Sequence, residues 1–559
     1  MGISVVLAIN ILCSFFHAGF DLTADKRFTI NESTKTFVRN LSSPLELRVY
    51  LTGDMPIGFK RLSNAVEGIS AKFNRISNGK INIRFEKPGE GLSDSLKAVL
   101  YDSLQQMGIH PTNVKAQISN EQQMQETLVF PGAILTGPNG QTGIDFIEGQ
   151  NSLDGINALN NAESQLEFKI TKAIKILQRE KIPLVGYLTG NGQVLDFRIY
   201  DLIENVLKKE FRFSMLPIDS IAFIPAQLDV LLINKPQNPF TPSQKLKIDQ
   251  YIMKGGKVIW ALDNLNASMD SLQKGKGSFI AYDLGLNLDD QLFKYGVRIN
   301  RDLVQDLECD QVPSIIGNMG DKPQIQLLPW PYAPLVSEKE GHPISRNLDK
   351  VLFSFPQSID TVSLPNISKQ ILLASSAYSR KLSTPALVEW RSIKSEEDIS
   401  RFNLQNIPLA ILLEGRFTSS FKNRISEQDV SALKNLTGSS YLSESEAENS
   451  MIVISDGDIF LNPVSESDGP LQMGMNQYTR IQYANKEFFK NCLFYLTDGR
   501  EILSARSKQY QLRILDKEQV SEHKLLWNWF NLLLSLFIPF LWSVAYKFYR
   551  KRKYSSAAY

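Results

Sequence analysis

Three cysteines and four histidines in 559 residues leave little material for thiol or imidazole chemistry. Cys13, Cys309 and Cys492 are odd in number and widely spaced, which excludes the disulfide framework of a small secreted scaffold. A bridge between Cys309 and Cys492 stays open. No Cys-x-x-Cys occurs, so a dithiol centre is excluded as well. His17, His110, His342 and His523 are scattered, and neither a metal cluster nor a nucleophile–base set can be read from them.

Phosphate loops are missing too. Gly255-Gly256-Lys257-Val258 and Gly275-Lys276-Gly277-Ser278 lack the spacing that lets backbone amides cradle phosphates ahead of Lys-Ser or Lys-Thr. Thr189-Gly190-Asn191-Gly192 runs on into Gln193-Val194-Leu195 without completing a dinucleotide fingerprint, so Gly190 and Gly192 read as turn residues. A hydrolase elbow would place Ser or Cys directly after a strand. After 228–234 the chain instead reads Lys235-Pro236-Gln237-Asn238-Pro239. Charge of one sign is also lacking: 61 basic against 59 acidic residues give +2, with no basic face for nucleic acid.

What is present is apolar length. The 22 residues 525–546 carry no charge, and as a helix they would span roughly 33 Å, enough for a hydrocarbon core of about 30 Å. Trp527 and Trp529 flank one end, Trp542 and Tyr546 the other, and Pro539 is tolerable in such a span. Residues 547–553 hold five cations, which belong on the cytoplasmic side. A second uncharged stretch covers 2–20. It has no basic residue before it, Phe16 where a cleavage site needs a small side chain, and Leu12 before Cys13, so an uncleaved anchor is expected over a signal peptide or lipoprotein. Two spans put both termini in the cytoplasm and 21–524 outside the membrane.

Hydrophobic residues at 43% and charged ones at 21% are ordinary globular composition, and the length suits three or four domains. Residues 45–51 (LELRVYL) and 80–85 (KINIRF) alternate as strands, and 61–76 and 93–107 have helical spacing, Ser93 being a cap candidate. Strands near 127–135 and 142–147 complete a β-α-β-α-β-β order, so 21–156 is expected to be a thioredoxin-like α/β domain. A long, polar-faced helix, the linking segment 157–181, follows. From 182 the rhythm is β/α: strands at 183–189, 211–216, 228–234 and 257–262, helices at 196–209 and 241–253, the latter opened by Thr241-Pro242 and closed by Gly255-Gly256. A doubly wound parallel sheet over 182–440 is the expectation. Its later parts are a polar loop at 264–276, a helix at 286–297, strands at 324–328, 351–355, 370–374 and 408–413, and a charged loop at 443–449. Residues 441–520 are expected to finish this domain and connect it to the membrane. They hold a strand at 451–454, a helix at 486–496 and a strand candidate at 510–515. Phe488, Phe489, Cys492, Tyr495 and Leu496 form a stripe expected to face the domain's own core. No internal repeat of fixed period is visible.

Asp456 and Asp458 after a strand, and Asp263 after another, are placed where α/β sheets hold ligands. The favoured reading is a polar turn in which Gly457 supplies φ > 0. No catalytic, cofactor-binding or metal residue is assigned, and no cofactor is expected.

The stretch DLTADKRFTI (21–30) resembles the start of the extracytoplasmic part of the gliding-motility ABC-transporter auxiliary proteins of Bacteroidetes, the GldG type. So do VISDGDIFLNP (453–463), GMNQYTRIQYANKEFFKNCLFYLTDG (474–499) and SARSKQYQLRILDKEQV (504–520). The resemblance covers nearly the whole chain. It implies a non-enzymatic, membrane-anchored "substrate-binding" or auxiliary subunit, partnered by an ABC permease and through it a separate ATPase. It also implies a bacterial inner-membrane location with the bulk periplasmic, and a middle β/α domain similar to one in intraflagellar transport proteins. A structural scaffold of the envelope and a metal-dependent hydrolase using Asp263, Asp456 and Asp458 are the rival readings.

Overall fold

The computed structural model describes residues 29–498, except 54, 118–123, 149–154, 276, 320–321, 391–392, 394–395 and scattered positions between 427 and 439, and then residues 524–555. The expected span over 2–20 and the strand candidate at 510–515 lie outside these residues. The chain divides into two compact units, 1–510 and 511–559. It is a mixed α/β protein with several sheets.

In the first unit, strand β1 (Leu45–Val49) buries alternate residues, as a period of two requires. It pairs in parallel with β2 (Ile81–Phe85). The expected strand at 127–135 is in fact two, because Pro131 has no N–H to continue a ladder. Before it, a strand at Met124–Val129 pairs antiparallel with a further strand, Thr112–Gln117. After it, β3 (Gly132–Gly137) lies antiparallel to β1, and β4 (Gly140–Asp145) follows in a hairpin. The sheet order is β2-β1-β3-β4. Helix α1 (Ile57–Ile76) buries Phe59, Leu62, Val66 and Phe73 at the expected spacing. Ser93 precedes the helix Asp94–Gln106, but its hydroxyl pairs with Ser95 Oγ and makes no capping bond.

Helix α2 (Gly155–Leu177) corrects the expectation of a polar-faced linker. Ala162, Leu166, Ile170 and Ile174 enter the N-terminal core, while Phe168 enters the core of the larger sheet and meets Phe494 edge-on at 6.3 Å. Its polar residues Glu163, Glu167, Lys169 and Thr171 are buried with it. They are tolerated because they are bonded: Lys169 Nζ donates to the carbonyls of Asp145, Phe146 and Glu148 at 2.9, 3.0 and 3.1 Å.

The larger sheet has seven strands. In chain order they are β5 (Leu184–Thr189), β6 (Arg212–Pro217), β7 (Val230–Asn234), β8 (Lys257–Ala261), β9 (Ile367–Ala374), β10 (Pro408–Gly415) and β11 (Asn449–Ile454). The spatial order is β9-β10-β11-β8-β7-β5-β6. The five strands from β11 to β6 are parallel, and β10 runs antiparallel to both its neighbours. Successive residues feed opposite cores: Val230, Leu232 and Ile259 one, Leu231, Ile233 and Trp260 the other. Burial on both faces is why these strands read as continuous apolar runs. Helix α3 (Pro242–Met253) covers one face, opened by a complete capping box on Thr241 and Gln244. Helix α4 (Asp289–Tyr295) is shorter than the expected 286–297, because Asn287 and Gly296 adopt left-handed backbones at its two ends. Helix α5 (Asn485–Asp498) packs on the other face. Its stripe Phe488, Phe489, Cys492, Tyr495 and Leu496 is buried in the core, as expected.

The same body departs from the expected pattern at three more places. The expected helix at 196–209 is a 3-10 turn (Phe197–Ile199), a π-helical turn (Asp201–Leu207) and one α turn. Buried Asp201 sits at its start, accepting from Met473 N at 3.0 Å, Asn205 Nδ2 at 2.7 Å and Lys486 Nζ at 3.2 Å. The polar stretch 264–276 holds a short helix, Met269–Lys274, capped by Ser268. The residues at 324–328 belong to a long hairpin, Cys309–Met319 with Lys322–Val336, and Val351–Leu352 pairs with its end, so these do not return to the main sheet. Cys309 and Cys492 are free thiols.

The described residues of the second unit form a continuous helix, Lys524–Ser555. Its segment Leu526–Lys553 is long and apolar enough to cross a membrane.

Candidate functional site

Parallel strands deliver their carboxyl ends to one edge of a sheet, and here three of them converge there. Strand β7 ends in Asn234-Lys235-Pro236, β8 in Leu262-Asp263, and β11 in Ser455-Asp456-Gly457-Asp458. Lys235 has φ +47° directly before a proline, a conformation that costs about 1–3 kcal/mol for such a residue. Its amide is held by Ala261 O at 2.8 Å. Its ammonium lies 3.3 Å from Asp263 Oδ2 and in direct contact with Asp458 Oδ1. Asp263 Oδ1 accepts from Gly457 N at 2.7 Å, Asp456 Oδ1 from Asp458 N at 2.7 Å, and Asp456 Oδ2 from Ser354 N at 2.6 Å.

Gly457 corrects the expected turn. It does not adopt positive φ. A Cβ there would instead meet Lys235 Cβ at 2.7 Å, Cγ at 2.8 Å and Cα at 2.9 Å. Close approach of two strand ends, not backbone freedom, is what requires glycine.

Burial pushes the Asp263 carboxyl up, with Lys235 opposing. Burial, then the charges of Asp263 and Asp458, push Asp456 well up. Burial alone would lower the Lys235 ammonium, but Asp458 and Asp263 overcome it and hold it above its ordinary value. The three carboxylates each offer an oxygen within 4.8 Å of the others, a spacing a cation would accept. Lys235 supplies that cation. With the bonds above, five of the six carboxylate oxygens are engaged by the ammonium or by backbone N–H groups.

A cavity of about 800 Å³ opens in front of this cluster, lined by Gly192 and Gln193 after β5, by Lys235 and Gln237 after β7, and by Asp458 and Trp330. The chain runs outward from β5 to β6 and returns to β7 on the other side of β5, and such a reversal leaves a crevice where α/β sheets hold ligands. Backbone strain concentrates at the same place. Among the described residues, the non-glycine positions with positive φ are five asparagines and Lys235, Phe355 and Arg480. Asparagine tolerates the left-handed region; bulky residues do so only when their surroundings over-determine them. Lys235 lines the cavity, Phe355 follows its lining residue Ser354, and Arg480 lies two residues from Tyr478 on its rim.

The structure thus gathers Asp263, Asp456 and Asp458, which the sequence had singled out, and adds Lys235, which it had not. The available signal was a lysine before proline at the end of an unbroken apolar strand. Gly190 and Gly192 are left-handed turn residues, as expected, and Gly192 reaches the cavity. Lys257 lies at the other end of its strand, where its ammonium contacts the Leu496 carbonyl. Lys276 is outside the described residues. His342 is occupied locally, Nδ1 accepting from Ile344 N at 3.2 Å, and His110 lies in the N-terminal part of the chain.

A solved structure titled "mmIFT52 N-terminal domain" is similar at 12% identity, over 56% of this chain and 98% of that one, with a TM-score of 0.31. No curated protein matches the chain. Residues 24–136 match a family described as a domain of unknown function. Residues 183–492, more than half of the sequence and the whole of the sheet that carries the cavity, match the family described as an ABC-type uncharacterized transport system, and the chain belongs to that family of ABC-transport auxiliary proteins.

Proposed function

We propose that the protein is a non-catalytic, membrane-anchored auxiliary subunit of an ABC transporter complex that serves gliding motility. The observation that carries this reading is the family match over 183–492, which contains the whole candidate site. In this reading 21–156 is a thioredoxin-like domain without dithiol chemistry, which the β2-β1-β3-β4 order supports. Residues 182–440, completed by 441–520, form a doubly wound β/α domain, supported by helices on both faces of the sheet. The bulk of the chain is periplasmic, both termini are cytoplasmic, and the partners are a permease and, through it, a separate ATPase.

The non-catalytic part of the reading rests on the carboxylate cluster. A metal-dependent hydrolase would need Asp263, Asp456 and Asp458 open to an ion and a water. Five of their six oxygens are spent on Lys235 and on backbone amides. The test is affinity purification of the full chain from detergent-solubilised native membranes. An ABC permease and an ATPase should co-purify in constant proportion. Recovery of the chain without either would overturn the proposal.

A further inference from the structure

A second concavity lies elsewhere on the β/α body, and its chemistry is the reverse of the first. The cleft has a volume of about 600 Å³ and is lined by five cations, Lys294, Arg298, Arg301, Lys422 and Arg424, against two carboxylates, Asp289 and Asp290. Both carboxylates are already engaged. Asp289 Oδ2 holds Arg301 at 2.9 Å, and Asp290 holds Lys245 on one oxygen and Arg424, at 3.2 Å, on the other. Lys422 pairs with Glu444 at 2.6 Å, and Arg301 also meets Asp283 at 2.8 Å. Lys294 and Arg298 are exposed and carry no ion pair among the described residues. Asp360, the strand partner of Arg298, accepts from Asn300 Nδ2 at 2.8 Å.

The walls are built, not loose. Lys294 sits on α4, and Lys422 and Arg424 on the loop after β10. One fully buried carboxylate, Asp249 on α3, ties the two together. Its Oδ1 accepts from Tyr295 of α4 at 2.9 Å and from Ser420 N and Oγ at 2.8 and 3.0 Å, and its Oδ2 accepts from Ser419 Oγ at 2.7 Å. The separation of the two cationic walls is therefore set by a side chain that no solvent reaches. Phe293, 53% exposed, adds an apolar surface to the lining.

We propose that this cleft binds phosphate groups, carried either by a phosphorylated soluble ligand or by an anionic phospholipid headgroup. Guanidinium forks match phosphate oxygens in pairs, and three of the five cations are arginines drawn from both walls. The volume exceeds that of a single phosphate, so the site suits two phosphates or one phosphate on an apolar body resting against Phe293. The proposal does not depend on the transporter assignment.

The test uses the full chain in neutral detergent at low salt, titrated calorimetrically with inorganic pyrophosphate and, separately, with short-chain phosphatidylglycerol below its micellar concentration. At least one should bind saturably, and added salt should weaken it. The double variant Lys294→Ala/Arg298→Ala should lose at least about tenfold in affinity, because it removes the two cations that have no other partner. Arg298→Lys, which keeps the charge and loses the fork, should fall between. Lys60→Ala, an exposed lysine on α1, should behave as wild type. Pyrophosphate alone would identify a soluble ligand, phosphatidylglycerol alone a headgroup. Absence of saturable binding to either, or binding that survives in a folded double variant, would overturn the proposal.

Discussion

Replacing Lys235 with methionine keeps the stem that packs against Gly457 and removes only the ammonium. Asp263 and Asp456 are then buried with no cation, and Asp458, 27% exposed, keeps partial access to water. Breaking a buried pair in this way costs about 3–5 kcal/mol, and the exposure of Asp458 places the expectation at the lower end. The loss should depend on pH. Burial raises the folded pKa of Asp263 and Asp456 above the ordinary 3.8, so the folded chain binds more protons than the unfolded one and stability falls as pH rises through those raised values. Lys235 opposes both shifts, so its removal drives them higher still and extends the window upward. Each additional proton is worth about 1.4 kcal/mol per pH unit. Denaturant unfolding of the full chain in detergent, followed by the fluorescence of its tryptophans, Trp260 among them in the sheet core, should show a deficit that is large at pH 8 and shrinks towards pH 5. Millimolar calcium should stabilise the variant and leave the wild type unchanged, since the vacated position is the one the three carboxylates enclose. A variant as stable as wild type at pH 8, or a deficit independent of pH, would refute the view that this ammonium is the cluster's resident cation.

Gly457→Ala should destabilise by about 1–3 kcal/mol in the same assay, because its methyl overlaps the backbone and stem of Lys235 and neither can retreat from a strand end. Phe489→Ala should cost about 3–5 kcal/mol, since its ring is fully buried and packs at a tilt against Phe460, centroids 4.6 Å apart. It should do so without altering phosphate binding at the distant basic cleft in the molecules that remain folded.

What could be read from the sequence follows from how local its cause is. Strands β5, β7, β8 and β11 are apolar runs bounded by turn residues, and the capping box on Thr241 is written in consecutive positions. The stripe on α5 announced its burial by spacing alone. The π-helical turn at 201–207 was not legible, because it sits beside contacts that Asp201 makes with Met473 and Lys486, far along the chain. The buried polar face of α2 misled for a related reason. Polarity predicts solvent only when no second layer arrives to satisfy it, and here Asp145, Phe146 and Glu148 present their carbonyls to Lys169.

The two clefts make the same point about charge. A near-neutral composition gave no hint of either, because a net sum says nothing of placement. Parallel strands bring Asp263, Asp456 and Asp458 to one edge, and without a cation there the sheet would bury two like charges beside a third that is only partly exposed. Lys235 meets that need only from a left-handed backbone, and its path leaves no room for a side chain at 457. The strained lysine and the crowded glycine are thus two halves of one solution, each unremarkable in its own tripeptide. At the basic cleft, Arg298 and Lys422 belong to separate segments that meet because Tyr295, Ser419 and Ser420 share the carboxylate of Asp249. A residue of no apparent interest, buried on α3, decides whether those cations face one another. It follows that Asp249, more than any single arginine, sets the geometry a phosphate would meet.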